Sequence, residues 1–555
     1  MSRQKNLGKQ ENCLPAQLVM EVGQIEFDPS EDKDWHRNVY AGSMILYAIF
    51  ERTNLLKAFE ENIREDFLRK RSSSGQRRVI LTVFFLHALR LKSIEQSKHL
   101  VGKDFCQIVG GSFLRTQSLR YAIDEIIDGE GFDRAIEVYF RDLLCLTEKR
   151  DRIFYTDGHF STYYGSSNIP KGYDPRRQIG CRGRNSIFLH NSQGEVMFLF
   201  ESATNTTLSN DIETLVEQLI EKGMKLRRKT LFFDRGGFSK KCFLYLKAKR
   251  MYFVTYLKYR KKERRIEESQ FEKKVFAIEG ERHEYAKFEN ERRWTKSGLV
   301  GIIVFIGSEG RQIPIITSNM FLRAETIIYY LQRRWREENC FKYMGEHFGL
   351  DLLTTYKTEQ APSKIILKVN PARAAINKEI AKKKSELQKI QSEFADRIIE
   401  REIFGAKDAD EFFQTQEKEK LKIKNLKMDI ELQLLERKKI SPKIHVNMKD
   451  NNVIMTQKRR LFLNAIKVLN YNSEKWLQKI FLKFHKKEDE TLSLVRNLLK
   501  YPGKFRVNES LVEVVLDPID SKPMRETVKA VLNGIAENGG VRMPDGRLLR
   551  LKLTQ

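Results

Sequence analysis

The sequence predicts an α/β protein with a mixed sheet at its centre, a β-rich insertion within it and helical regions on either side. Three observations predict this class. Apolar residues recur at helical spacing from Met44 to about Glu148; short β-forming runs punctuated by turns begin at Arg152; and Lys- and Glu-rich helical sequence runs from Ile376 to Ile440.

At 555 residues the chain exceeds what one hydrophobic core organises, so about three or four domains are expected. Its 101 Lys and Arg against 74 Asp and Glu leave a formal charge of +27, an excess that a polyanion would neutralise. Nucleic acid is the first partner to consider and an anionic membrane surface the second. Apolar runs such as Val79–Leu86 fall well short of the roughly 20 residues that span a bilayer, and the polar N-terminus lacks a signal-peptide core, so no membrane partner is expected. The six cysteines are scattered without a CxxC pair, which fits reduced thiols and argues against a zinc ribbon.

Residues 1–40 read as a polar arm, and 41–150 as a helical domain carrying Lys92, Lys98, Lys103, Arg115 and Arg120. That decoration suits DNA-end binding, and solvated helix faces look the same. Ile153–Thr156, Ser186–His190 and Glu195–Glu201 read as strands, the last two joined by the turn Asn191-Ser192-Gln193-Gly194. Asn210–Lys222 is an amphipathic helix, Thr230–Phe233 a buried strand, Lys240–Arg250 a helix and Met251–Tyr256 a strand. Three strands, then helix, strand, helix, strand is the order of the ribonuclease H fold, expected over 151–256 and 320–357. Residues 257–319 are basic and strand-like and look inserted. One long helix is expected from near Leu322 to about Phe348. Residues 358–440 form a helical segment whose stripe of Ile376, Ile380, Leu387, Ile390 and Phe394 either mediates assembly or packs back on the core. Residues 441–555 are a basic region ending in a hairpin at Pro544-Asp545-Gly546.

Two acids stand where β-runs stop: Asp157 in Phe154-Tyr155-Thr156-Asp157-Gly158-His159, where Gly158 allows a turn, and Asp234 in Leu231-Phe232-Phe233-Asp234-Arg235-Gly236-Gly237. Carboxylates at the carboxyl edge of neighbouring strands overlook a cleft, and crowded hard oxygens call for Mg²⁺ or Mn²⁺. Two-metal phosphoryl transfer uses such a site, completed by a third acid from a helix. Glu338 is the candidate, on one helical stripe with Arg334 and Lys342. Taken singly, a strand-end Asp is often a turn or cap residue, and the helical stripe is often a surface salt-bridge ladder. Together they fall where one cleft gathers them.

The segments Tyr155-Thr156-Asp157-Gly158-His159, Phe233-Asp234-Arg235-Gly236 and Arg334-Trp335-Arg336-Glu337-Glu338-Asn339-Cys340-Phe341-Lys342 resemble the three blocks of the DDE transposases of bacterial insertion sequences. The resemblance covers about residues 150–355. It is nearest to the group with a β-strand insertion before the Glu and a Tyr-Arg-Glu-Lys signature. It implies cut-and-paste transposition: cleavage at transposon ends and strand transfer into target DNA, with two Mg²⁺ or Mn²⁺ ions held by Asp157, Asp234 and Glu338. The implied partners are double-stranded terminal repeats and target, engaged by a homodimer on paired ends, in a cytoplasmic, nucleoid-associated bacterial setting. Counted from Glu338, the signature finds Arg334 in place but Leu331 at the Tyr position and Gly345 at the Lys position. Tyr330 and Lys342 are shifted stand-ins for phosphate binding.

Three further features accompany this core. Ser161–Asn185 reads as a Gly- and Pro-punctuated loop that interleaves tyrosines with Arg176, Arg177, Arg182 and Arg184, suited either to tracking a DNA backbone or to packing on the core. Lys261 and Lys262 make the insertion basic, and the resemblance implies that Trp294 stacks on a flipped base, although a tryptophan is more often core. His159 either positions the attacking group or is a hydrogen-bonded structural residue. No phosphate-loop motif is present, so nucleotide hydrolysis is not expected. Two other functions fit the same fold: a non-catalytic DNA-binding protein descended from a transposase, and a structure-specific nuclease.

Overall fold

The computed structural model describes residues 35–63, 73–148, 151–174, 176–202, 206–257, 266–278, 281–295, 298–306, 310–352, 354–360, 367–404, 409–445, 453–485, 487–537 and 541–554. They fall into two compact units: Met1–Gly165, Gly172–Lys357 and Thr456–Gln555 in the first, Ser166–Lys171 and Thr358–Met455 in the second.

The described part of the first unit begins with the short strand β1 (His36–Asn38), which lies inside the span read as a polar arm. Helices α1 (Tyr47–Arg52), α2 (Leu55–Asn62), α3 (Ser73–Ala88), α4 (Gly102–Val109), α5 (Thr116–Asp128) and α6 (Phe132–Glu148) follow. In α5 the apolar spacing gives one buried face of Leu119, Ala122, Ile123, Ile126 and Ile127. Helix α3 is apolar almost all round from Val79 to Leu86 and is buried accordingly.

The central sheet contains β2 (Ile153–Thr162), β3 (Lys171–Asp174), β4 (Ile179–Asn191), β5 (Val196–Ser202), β6 (Thr230–Phe233) and β7 (Tyr252–Tyr256), with α7 (Leu208–Glu221) and α8 (Lys240–Ala248) between its later strands. The order is β5-β4-β2-β6-β7: β4 is antiparallel to β2 and to β5, whereas β2–β6 and β6–β7 are parallel. The sheet is therefore mixed, and the Asn191–Gly194 turn closes the β4–β5 hairpin with Gly194 at φ 79°.

One expectation about this sheet is corrected. Ser161–Asn185 is in large part extended strand: β2 continues to Thr162 and β4 begins at Ile179, pairing Ser161 with Arg184. The ladder that pairs β2 with β4 from Phe154–Asn191 to Thr162–Gly183 outweighs the local Gly and Pro signals there. The strands read as an insertion, β8 (Glu272–Ile278), β9 (Glu281–Thr295), β10 (Gly298–Ile306) and β11 (Gln312–Thr317), extend the same sheet, because β11 pairs antiparallel with β7.

The helix expected from Leu322 to Phe348 is two, α9 (Ala324–Arg333) and α10 (Trp335–Phe348), with Arg334 at the junction. Helix α9 lays Ile327, Ile328 and Leu331 on the sheet core of Tyr155, Phe232, Val254 and Ile315. Gly349, at φ 66°, ends α10 in the left-handed conformation.

The second unit holds β12 (Thr358–Gln360), β13 (Leu367–Val369), α11 (Pro371–Phe404), α12 (Ala409–Lys439), β14 (Lys443–His445) and β15 (Val453–Met455), with β12 paired to β15 and β13 to β14. The helices form an antiparallel pair, joined by Lys383 Nζ to Asp429 Oδ2 at 2.7 Å and Gln433 to Glu379 at 2.9 Å. Ile380 and Ile390 of α11 and Ile430 of α12 are buried. The α11 stripe is thus met by α12 of the same chain.

The remainder of the first unit is α13 (Lys458–Phe481), α14 (Glu488–Leu499), β16 (Gly503–Val507), β17 (Leu511–Leu516), α15 (Lys522–Glu537), β18 (Val541–Arg542) and β19 (Leu548–Leu553). β1 joins these strands in the order β1-β16-β17-β19-β18, and the expected hairpin turns at Gly546, φ 91°. Helix α13 is buried along most of its length, with Ile466, Val468 and Leu469 in the core and Asn470 Nδ2 donating to the Phe84 carbonyl at 3.1 Å.

Candidate functional site

β2 and β6 pair in parallel from Ile153–Thr230 to Thr156–Phe233, so Asp157 and Asp234 are each the first residue beyond the last pair of neighbouring strands. Asp157 is not at the end of its strand, as the sequence suggested. β2 runs on past it, and Gly158 pairs with Ile187 of β4. What ends at Thr156 is the ladder to β6. Gly158 instead donates its N–H to Asp157 Oδ1 at 2.8 Å. Asp234 leaves the sheet: its Oδ1 accepts from Gly236 N at 2.6 Å and caps a short 3₁₀ turn, Arg235–Gly237. Thr255 Oγ1 of the next strand donates to the Asp234 carbonyl at 3.0 Å and fixes that turn.

Glu338, in the first turn of α10, faces the same place. Arg334 Nη2 lies 2.7 Å from Glu338 Oε1 and its Nη1 lies 3.4 Å from Asp157 Oδ2. The Asp157 carboxyl is pushed up from 3.8 to about 7 by burial and by the Asp234 charge; Arg334 and the Gly158 N–H oppose this, and Glu338 adds to it. The three acids therefore act on one another electrostatically around Asp157. Among the described residues no three His, Cys, Asp or Glu side chains close tightly enough to hold a metal ion as they stand. The donor chemistry nonetheless suits one: these are hard carboxylate oxygens, and the cost of ionising Asp157 is the kind that a divalent cation relieves.

The other singled-out residues separate. Tyr330 packs its ring against Phe232 and Tyr329, and its carbonyl accepts from Tyr155 Oη at 2.9 Å. Lys342 is exposed and lines a cavity of about 610 Å³ with Tyr343, Glu474, Lys475 and Arg496. A Cβ on Gly345, the position of the family Lys, would lie 2.8 Å from Asp351 Oδ2, so this site is one of close helix–loop packing. Arg176 binds Asp351 Oδ1 at 2.6 Å, and Arg177 donates to the exposed Tyr164 hydroxyl at 2.8 Å. Arg182 is half-buried. Arg184 is a correction: it is 4% exposed, on the Glu201 carboxylate, and cannot present its charge to a phosphate. Trp294 lies in β9 opposite Leu299, and Lys261 and Lys262 lie outside the described residues.

Apart from His159, which the sequence offered as a structural residue, the supporting residues escaped the sequence reading. His159 Nε2 is 2.8 Å from Asp351 Oδ1 and its ring packs on Phe341, which makes it a structural histidine. His159 and Arg176 hold Asp351 at about 2 against the upward push of burial. Arg460 of α13 lies 3.0 Å from Glu201 and donates to Ser161 and Ser186 Oγ, tying the C-terminal region to β2 and β4. Tyr343 of α10 donates to Glu474 of α13, which also takes Arg90 at 2.8 Å. These partners are far apart in sequence, so only the fold brings them together.

A model of the family described as "Transposase protein" matches residues 43–509. No curated protein matches. Among solved structures, the cryo-EM structure of a piggyBac transposase synaptic complex with hairpin DNA matches at TM-score 0.32 and 10% identity, covering 56% of this chain and 69% of that one. A likeness of that strength carries no inference about this chain.

Proposed function

The chain belongs to this transposase family, and from that membership we propose that it is a DNA transposase of the DDE type, with Asp157, Asp234 and Glu338 as its catalytic acids. The observation that carries the reading is the arrangement of these acids. Two stand at the same end of adjacent parallel strands, and the third is linked to the first through Arg334. The β5-β4-β2-β6-β7 order supports a ribonuclease-H-like core.

On this reading the three carboxylates hold two Mg²⁺ or Mn²⁺ ions. The ions when bound supply Lewis-acid activation of a water or 3′-hydroxyl and stabilisation of the leaving oxygen. Asp157, which feels the charge of both other acids, would be one ligand; Asp234 is oriented by the Gly236 N–H; and Glu338 arrives on a helix anchored by Tyr343 and Phe348. Arg334 balances the negative charge before the site is loaded and is then placed to meet a DNA phosphate. Lys342, Arg176, Arg177 and Arg182, with Tyr164, are proposed to contact double-stranded terminal-repeat and target DNA, and a homodimer to pair two ends. Tyr330, whose ring packs on the sheet, and Trp294 of β9 are retained as proposed DNA contacts, as are Lys261 and Lys262.

The reading is tested by incubating the protein with Mg²⁺ and the inverted-repeat DNA that flanks its gene. End cleavage followed by joining to target supports it. Cleavage without joining indicates a nuclease, and binding without cleavage a DNA-binding protein.

A further inference from the structure

The α11 stripe is met within the chain, yet α12 has a second apolar stripe on its opposite side. Leu421, Met428, Leu432 and Leu435 are 53–59% exposed, and Asn425 continues the row. Successive members are four and three residues apart, the spacing of a coiled-coil seam, whereas Ile430 and its row face α11. Such a face on an otherwise Lys- and Glu-rich helix has to be covered.

We propose that α12 of a second copy of this chain covers it, as an antiparallel, two-fold symmetric coiled coil. The argument is charge complementarity. Glu417, Lys424, Glu431 and Lys438 flank the stripe on one side, and Lys422, Asp429 and Glu436 on the other, all exposed. With Leu421 set against the partner's Leu432 and Asn425 against the partner's Met428, Lys424 meets the partner's Glu431 and Glu417 meets the partner's Lys438. On the other side Lys422 meets the partner's Asp429. Symmetry repeats each pair, and no like charges face each other. A parallel pairing keeps two attractive pairs, Glu417 with the partner's Lys422 and Lys424 with the partner's Asp429, but sets Glu431 against the partner's Glu436 and puts Lys418 against its own copy in the seam, where the antiparallel register sets it against the partner's Leu435. The flanking charges thus select the antiparallel arrangement.

This goes beyond the catalytic reading and does not depend on the carboxylates, so it is tested on the full-length protein without DNA or metal. Light scattering of the wild type is expected to give the mass of a dimer; Leu432→Glu and Lys424→Glu give the monomer, and Lys424→Glu combined with Glu431→Lys restores the dimer. Under oxidation, Leu421→Cys with Leu432→Cys cross-links two chains beyond the wild-type background. A monomeric wild type, a Leu432→Glu dimer or a charge swap that fails to restore association overturns the proposal. Cross-linking of Leu421→Cys alone overturns the antiparallel register.

Discussion

Arg334 joins Asp157 to Glu338, its Nη1 3.4 Å from the first carboxylate and its Nη2 2.7 Å from the second. It stands at the junction of α9 and α10, so the break between those helices places a cation between an acid of the sheet and an acid of the helix. Without bound metal, this guanidinium supplies the positive charge that the acids require.

Replacing it with an uncharged side chain removes that balance. Arg334→Gln is expected to lower the stability of the metal-free protein by about 1–2 kcal/mol, a modest figure because Glu338 is half exposed. Mg²⁺ should raise its melting temperature more than that of the wild type. Equal responses to Mg²⁺ in thermal melts would show that Arg334 and the metal do not serve the same charge.

Asp157→Ala, Asp234→Ala and Glu338→Ala are each expected to abolish cleavage while leaving binding to terminal DNA near the wild-type level, because each removes a carboxylate and none of the basic surface. Glu337→Ala should remain active. Gel shifts and cleavage assays on the same preparations check this, and robust cleavage by any one of the three mutants would exclude that residue from the triad.

The raised Asp157 pKa has a consequence for stability. The folded protein keeps this proton up to about pH 7, whereas an unperturbed carboxyl loses it near 3.8. Its contribution is therefore fully present at low pH and is lost as pH rises through that window. Asp157→Asn removes the titration, so at pH 8 without metal the inactive variant should be more stable than the wild type by on the order of 1–3 kcal/mol, with the gap closing towards pH 4. Denaturant titrations across this range that show no pH-dependent gap would argue that the three acids do not crowd one another.

Binding to DNA should weaken steeply with salt, at a slope near roughly −0.9 per phosphate contact. Arg177→Ala is expected to weaken it and reduce the slope. Arg184→Ala should instead cost about 1–3 kcal/mol of folding stability, since it removes a buried side chain from beside Glu201, which keeps Arg460 as its closer partner. An Arg184 variant of normal stability with impaired binding would reverse this division.

Much of the core was legible because its signals are local. The β2, β6 and β7 runs are short and apolar, and Asn191–Gly194 is a turn by composition. The Asp157 strand was cut short because Gly158 and His159 interrupt its β-formers, and only pairing with Ile187 and Ser186 shows that it continues. Arg184 looked like its exposed neighbours because the sequence carries no mark of Glu201 beneath it. The split at Arg334 was hidden within uninterrupted helical periodicity. The place of α13 in the core was missed because Arg460, Lys467 and Glu474 give it the look of a surface helix, although each is buried with partners.

The central claim is that Asp157, Asp234 and Glu338 together hold divalent cations at the DNA. The most direct measurement is anomalous scattering from crystals of the protein with its terminal-repeat DNA, soaked in Mn²⁺. The account predicts two peaks among Asp157, Asp234 and Glu338, and the loss of at least one in Asp157→Asn. Ordered density for all three side chains without a Mn²⁺ peak among them would contradict it.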